Sequence, residues 1–223
     1  MDTGGPMATP TDAQILTLAQ WLSPAFPIGA FAYSHGLEAA VDMGWVRHPG
    51  SFEAWLIDVL EFGAGRSDSL FLAAAYHAPD VAVLANIDAN ARAFAVSAER
   101  LLESQAQGVA FCKLTNHVWG ATLDELLYPV GLGAAAKCEG VPLALTSKMY
   151  LQALASNLIA AAQRLLPLGQ TEGQAILRRL SGLFSDIADA TLDGGLERLC
   201  STAFLSDIAA MKHETQYSRI FRT

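Results

Sequence analysis

The stretch VPLALTSKMYLQALASNLIAAAQRLL, residues 141–166, decides the fold class. Leu151, Leu154, Leu158, Ala161 and Leu165 are separated alternately by three and four residues, which lines one face of a helix and cannot line one face of a strand. Pro142 suits a helix start, where a missing amide costs nothing, and Pro167 stops the run. A long helix with one apolar stripe must bury it against neighbours, so the spacing predicts a central element in a bundle. Lys148, Gln152, Asn157, Gln163 and Arg164 interrupt the stretch too often for hydrocarbon, and no membrane span is expected.

The flanking sequence has the same character. Alanine, the strongest helix former, occurs 39 times, and no segment alternates as a strand would. Thr11 or Asp12 is suited to cap a first helix running to Leu22, Ser51 one through Phe62, and Asp68 one through Tyr76. Pro79, Pro129 and Gly140 punctuate the rest. Thr171-Glu172-Gly173-Gln174 has capping-box form and predicts a helix starting there. With no linker and no repeat, the pattern predicts an all-α, single-domain bundle of about ten helices. Residues 1–10 read as a flexible leader, 11–212 as the helical domain and 213–223 as a tail that docks on a partner.

Composition narrows the function. Hydrophobic residues make up 52% and charged ones 16%, an apolar balance that leaves surface for protein partners. The net charge of −8 and the lack of any basic run argue against nucleic acid. Cys112, Cys138 and Cys200 are scattered and odd in number, fitting neither a disulfide framework nor a zinc site, and point to a reducing cytoplasm. The N-terminus lacks a basic segment followed by an apolar one, so no secretory signal is expected.

Few motifs favour chemistry. In Ser23-Pro24-Ala25-Phe26-Pro27-Ile28-Gly29-Ala30-Phe31 two prolines stiffen a helix connection that carries Phe26, Ile28 and Phe31, apolar groups suited to docking. Ser34-His35-Gly36-Leu37-Glu38 follows, and helical spacing would place His35 and Glu38 on one face. That pair is half of a helix-borne metal site at most, with no second copy. Gly131-Leu132-Gly133-Ala134-Ala135-Ala136 has the outline of a dinucleotide turn, but without a strand before it the glycines are read as close helix packing. No phosphate-binding loop, no zinc-protease spacing among the histidines and no nucleophile elbow occurs.

The last eleven residues, His213-Glu214-Thr215-Gln216-Tyr217-Ser218-Arg219-Ile220-Phe221-Arg222-Thr223, concentrate polar, aromatic and basic groups that no self-contained core requires. They resemble the C-terminal signature of the urease accessory protein UreF family, H-E-T-Q-Y-S-R-L-F-R-S, with Ile220 and Thr223 as conservative departures. The stretch from Ser23 to Glu38 and P-L-G-Q-T-x-G-Q from Pro167 to Gln174 resemble the same family, so the likeness spans nearly the whole chain.

This resemblance implies an all-helical cytoplasmic protein without catalytic chemistry. It further implies a homodimer that bridges the D (or H) accessory protein and the GTPase G in loading nickel into apo-urease. GTP is then bound by the partner and nickel handled by the assembled complex, with no cofactor on this chain, and the bridging protein couples the partner's nucleotide cycle to nickel transfer. By position, the resemblance assigns partner binding to Phe31, Ser34, Gly36 and Glu38 and to His213, Glu214, Gln216, Tyr217, Arg219 and Phe221. The tail is expected to pack near the Pro24–Phe31 loop as a platform for the D-type partner and to order only on assembly. Two rival readings are an all-helical metalloenzyme using His35, Glu38 and His213, and a direct nickel carrier.

Overall fold

The computed structural model describes residues 9–223, so most of the expected leader lies outside the described residues. These residues form eleven α-helices and two single-turn 3-10 helices, with no strand among them. The all-α bundle of about ten helices is borne out.

The first helix, α1 (Asp12–Trp21), begins in a capping box, the Thr11 hydroxyl accepting from the Gln14 amide and the Gln14 side chain accepting from the Thr11 amide. The short α2 (Leu37–Asp42) leads to α3 (Pro49–Glu61), whose N-cap is the His48 ring rather than Ser51. His48 Nδ1 accepts from the Ser51 amide and Ser51 Oγ returns the bond to the His48 amide, a box read from the sequence three residues late. Next come α4 (Ala64–His77), α5 (Val81–Phe94), α6 (Ala98–Trp119) and α7 (Tyr128–Cys138). The long helix of the opening stretch is α8 (Leu143–Leu165), followed by α9 (Gln170–Arg179), α10 (Ser181–Thr191) and α11 (Phe204–His213).

Helix α8 is central as expected, touching α2, α3, α4, α7, α9 and α10 and burying Leu151, Leu158 and Ala161. The most extensive helix contact, however, is between α4 and α7. A methyl group on Gly133 would lie 2.2 Å from the Leu72 carbonyl oxygen, so only glycine lets these backbones meet. The Gly131–Gly133 outline is therefore helix packing, as the sequence reading holds. Helix α9 corrects another expectation: Gly169, in extended conformation, precedes it, and Thr171 makes no cap. Among the described residues no helix is long and apolar enough to cross a membrane.

Candidate partner-docking site

The two resembling ends of the chain meet in space. Backbone geometry makes this possible at His35 and Gly36, which adopt φ of 60° and 78°, a left-handed turn that a non-glycine residue seldom holds. The turn ends at Gly36, so α2 starts only at Leu37 and His35 does not share its face with Glu38. Gly36 is also required by packing: a methyl group there would sit 2.7 Å from the Ala210 amide nitrogen on α11.

Glu38, buried at the start of α2, holds the tail by both oxygens. Its Oε1 accepts from the Ile220 amide at 2.7 Å, and its Oε2 from the Phe221 amide at 2.9 Å. The fully buried His213 ring stands between two carboxylates, Nε2 at 3.3 Å from Glu38 and Nδ1 at 2.6 Å from Glu99. Arg219 completes the group by donating to the other Glu99 oxygen at 2.6 Å. Glu99 thus faces the His213 ring and accepts from Arg219, while Glu38 takes two backbone amides, so each carboxylate has polar partners.

Glu214 caps a different element. Its Oε1 accepts from the Ala98 amide at 2.8 Å and from the Glu99 amide at 3.4 Å, satisfying orphan donors at the start of α6 where a negative charge is favoured. Further on, the Arg222 amide donates to the Ala32 carbonyl, and the Ser34 amide and hydroxyl both donate to the Thr223 carbonyl. The Phe221 ring is buried under the Arg164 guanidinium, 4.2 Å from its centroid, and Arg164 also donates to the Phe31 carbonyl. The tail therefore meets the chain just after the proline loop, at Ala32 and Ser34, and Arg164 bridges Phe221 to the loop's last residue, Phe31. The tail's anchors lie on α2, α6 and α8 of the same chain.

The residues assigned by resemblance thus divide. Ser34, Gly36, Glu38, His213 and Phe221 point into the molecule, and Glu214 and Arg219 reach back to α6. Gln216 folds over its own turn, bonding the Ser218 carbonyl. Tyr217 has its whole surface free, with Ile220 at 61% and Phe31 at 75% exposure, and these apolar groups face outward around the docked segment. Glu99, Glu103, Arg100 and Arg164, which position the tail, were not singled out from the sequence. For Glu99, Arg100 and Glu103 the trace there is a charged cluster at the start of α6 in a chain that spends charge sparingly, and Arg164 shows only as a polar interruption of the 141–166 stretch.

Behind the tail lie two adjoining cavities of about 70 Å³ each, sharing Asp68, Arg100, Ser104 and Pro129 in their walls. Tyr150 donates to Asp68 at 2.6 Å, Arg100 pairs with Glu103, and Thr223 Oγ1 donates to Glu103 at 2.8 Å. Burial pushes the Asp68 pKa up to about 6 against the opposing pull of Arg100 and the Tyr150 hydrogen bond. Burial, helped by the Arg100 charge, holds His35 well below the usual histidine value, and among the described residues its Nδ1 has no partner. Among the described residues no group of three or more His, Cys, Asp or Glu side chains is placed to hold a metal ion. His35 belongs to this cavity wall while Glu38 and His213 bind the tail, so the metalloenzyme reading finds no assembled ligand set.

Comparison with known proteins identifies relatives over nearly the whole chain. The model of the UreF family matches residues 46–181, between the two end segments that carry the resemblance. A urease accessory protein UreF of Ruegeria pomeroyi is 56% identical over 97% of this chain and all of its own length. Proteins of the same name from Roseobacter denitrificans and Rhodopseudomonas palustris are 52% and 43% identical, covering 96% and 99% of this chain and 95% and 98% of their own.

Proposed function

Since the chain belongs to the UreF family of urease accessory proteins, and so takes part in urease maturation, we propose that it is a scaffold that bridges two further accessory proteins. In this reading a cytoplasmic homodimer holds the D-type (or H-type) protein and the GTPase G together while nickel passes to apo-urease. The chain carries no cofactor, GTP belongs to its partner, and nickel is the cargo of the assembled complex. It couples the partner's nucleotide cycle to nickel transfer.

The observation that carries this reading is that His213, Phe221 and Thr223 are buried in the chain's own fold while Tyr217 and Ile220 stand exposed beside an exposed Phe31. Anchoring by Glu38, His213 and Glu99 spends the ordering entropy within the chain, so Tyr217, Ile220 and Phe31 are presented ready-made. Rigid aromatic groups of this kind anchor interfaces. We assign them to the D-type partner.

Reconstitution tests the bridge. The purified chain is mixed with the D-type and G-type proteins, with and without GTP and nickel, while complex mass and urease activation are followed. A three-component complex that forms only with this chain and activates apo-urease is the expected result. Binding of just one partner, or activation without the chain, would contradict it.

A further inference from the structure

The cavity walled by Trp21, Tyr128 and Tyr150 reaches the surface at the proline loop, because Pro24 and Phe31, both exposed, belong to the same wall. Its apolar side is backed by a run of rings. Phe111 joins Trp21 to Tyr128 at centroid distances of 5.5 and 5.6 Å, and Tyr150 follows Tyr128 at 5.9 Å. The run ends on a charge: the Tyr150 hydroxyl donates to Asp68, which is half-buried, and among the described residues no cation pairs with that carboxylate. Arg100, in the same wall, is taken by Glu103. Two carboxylates against one guanidinium leave the cavity one positive charge short, and an acid partly withdrawn from water gains from a cation placed beside it.

We propose that this cavity receives an arginine side chain of the protein that docks on the exposed face around the tail, its guanidinium pairing with Asp68 and lying against the rings of Tyr128 and Tyr150. The walls fix the class of ligand. A flat cation offers a fork of donors to a carboxylate and its face to aromatic rings, a combination that a compact ammonium lacks. The mouth fixes the source. Phe31 stands both in the cavity wall and on the exposed face, and the tail bonds the next residue, Ala32, so a protein seated on Phe31, Tyr217 and Ile220 covers the opening. This occupant rests on the docking role proposed above, whereas the cavity's preference for a planar cation belongs to the chain alone.

The test is an NMR titration of the full chain with ethylguanidinium and with ethylurea, its neutral counterpart. Ethylguanidinium is expected to shift the Trp21 indole and the Tyr128 and Tyr150 ring signals saturably, with a Kd of roughly millimolar order, while ethylurea leaves them in place. Asp68→Asn should weaken this binding by about 10-fold or more, the loss of one charge-assisted pair. Equal responses to the two compounds overturn the cation site without needing any variant, and so does an Asp68→Asn chain that binds ethylguanidinium as before. The second arm adds the D-type protein with its arginines isotope-labelled. Nuclear Overhauser contacts from an arginine side chain to the Tyr128 or Tyr150 ring are expected, and a complex that forms without them overturns the occupant. A complex that does not form, read separately as unchanged mass, removes the docking role and this occupant with it.

Discussion

Glu38 accepts two backbone amides of the tail and faces His213, three contacts no neutral side chain can reproduce. In Glu38→Gln one oxygen becomes a donor pointed at an N–H donor, leaving a buried amide unpaired. We expect a loss of roughly 2–3 kcal/mol in urea unfolding, together with faster exchange of the Ile220 and Phe221 amides. Unchanged exchange would show that the tail is held by something else. Asp68 gives a second prediction at this scale. Its folded-state value, about 6, lies above the ordinary 3.8, so its stabilising contribution is complete below 3.8 and is lost as pH rises through about 6. Relative to Asp68→Asn, the natural chain should lose about 2–3 kcal/mol between pH 4 and pH 7. Parallel losses in both proteins would remove Asp68 from the account.

Among the elements, the tail contradicts the idea of a dispensable appendage. Burial of Phe221 beneath Arg164 implies that Phe221→Ala costs about 3 kcal/mol, read as a lowered melting temperature. An unaltered melting curve would restore the picture of a segment that orders only on assembly. Gly133→Ala should cost at least as much, because the added methyl meets the Leu72 carbonyl where α7 packs on α4. Elements with a local cause were legible in the sequence: the stripe from Leu151 to Leu165 defines α8, and Thr11 with Gln14 caps α1. His35 was misplaced because helical spacing says nothing of a left-handed turn at His35 and Gly36. Thr171 was misread as a cap because an extended Gly169 starts α9 earlier. The tail's anchors could not be read at all, since Glu38, Glu99 and Glu103 stand 114 to 183 residues away from the groups they hold.

For the whole molecule, a net charge of −8 favours encounter with a cationic face of the GTPase in the proposed assembly. The association rate should fall as salt is raised, measured by stopped-flow at two ionic strengths, and a salt-independent rate would deny the charge any part in encounter. The apolar composition suggested partners, but only the fold shows which apolar groups are left over once the core is filled. The central claim is that the outward face of the docked tail binds the D-type partner, and calorimetric titration of that partner into Tyr217→Ala/Ile220→Ser tests it most directly. The account predicts binding weakened by about 100-fold or more, as expected for loss of interface anchors, with helicity and melting unchanged. Affinity equal to that of the natural chain would contradict it.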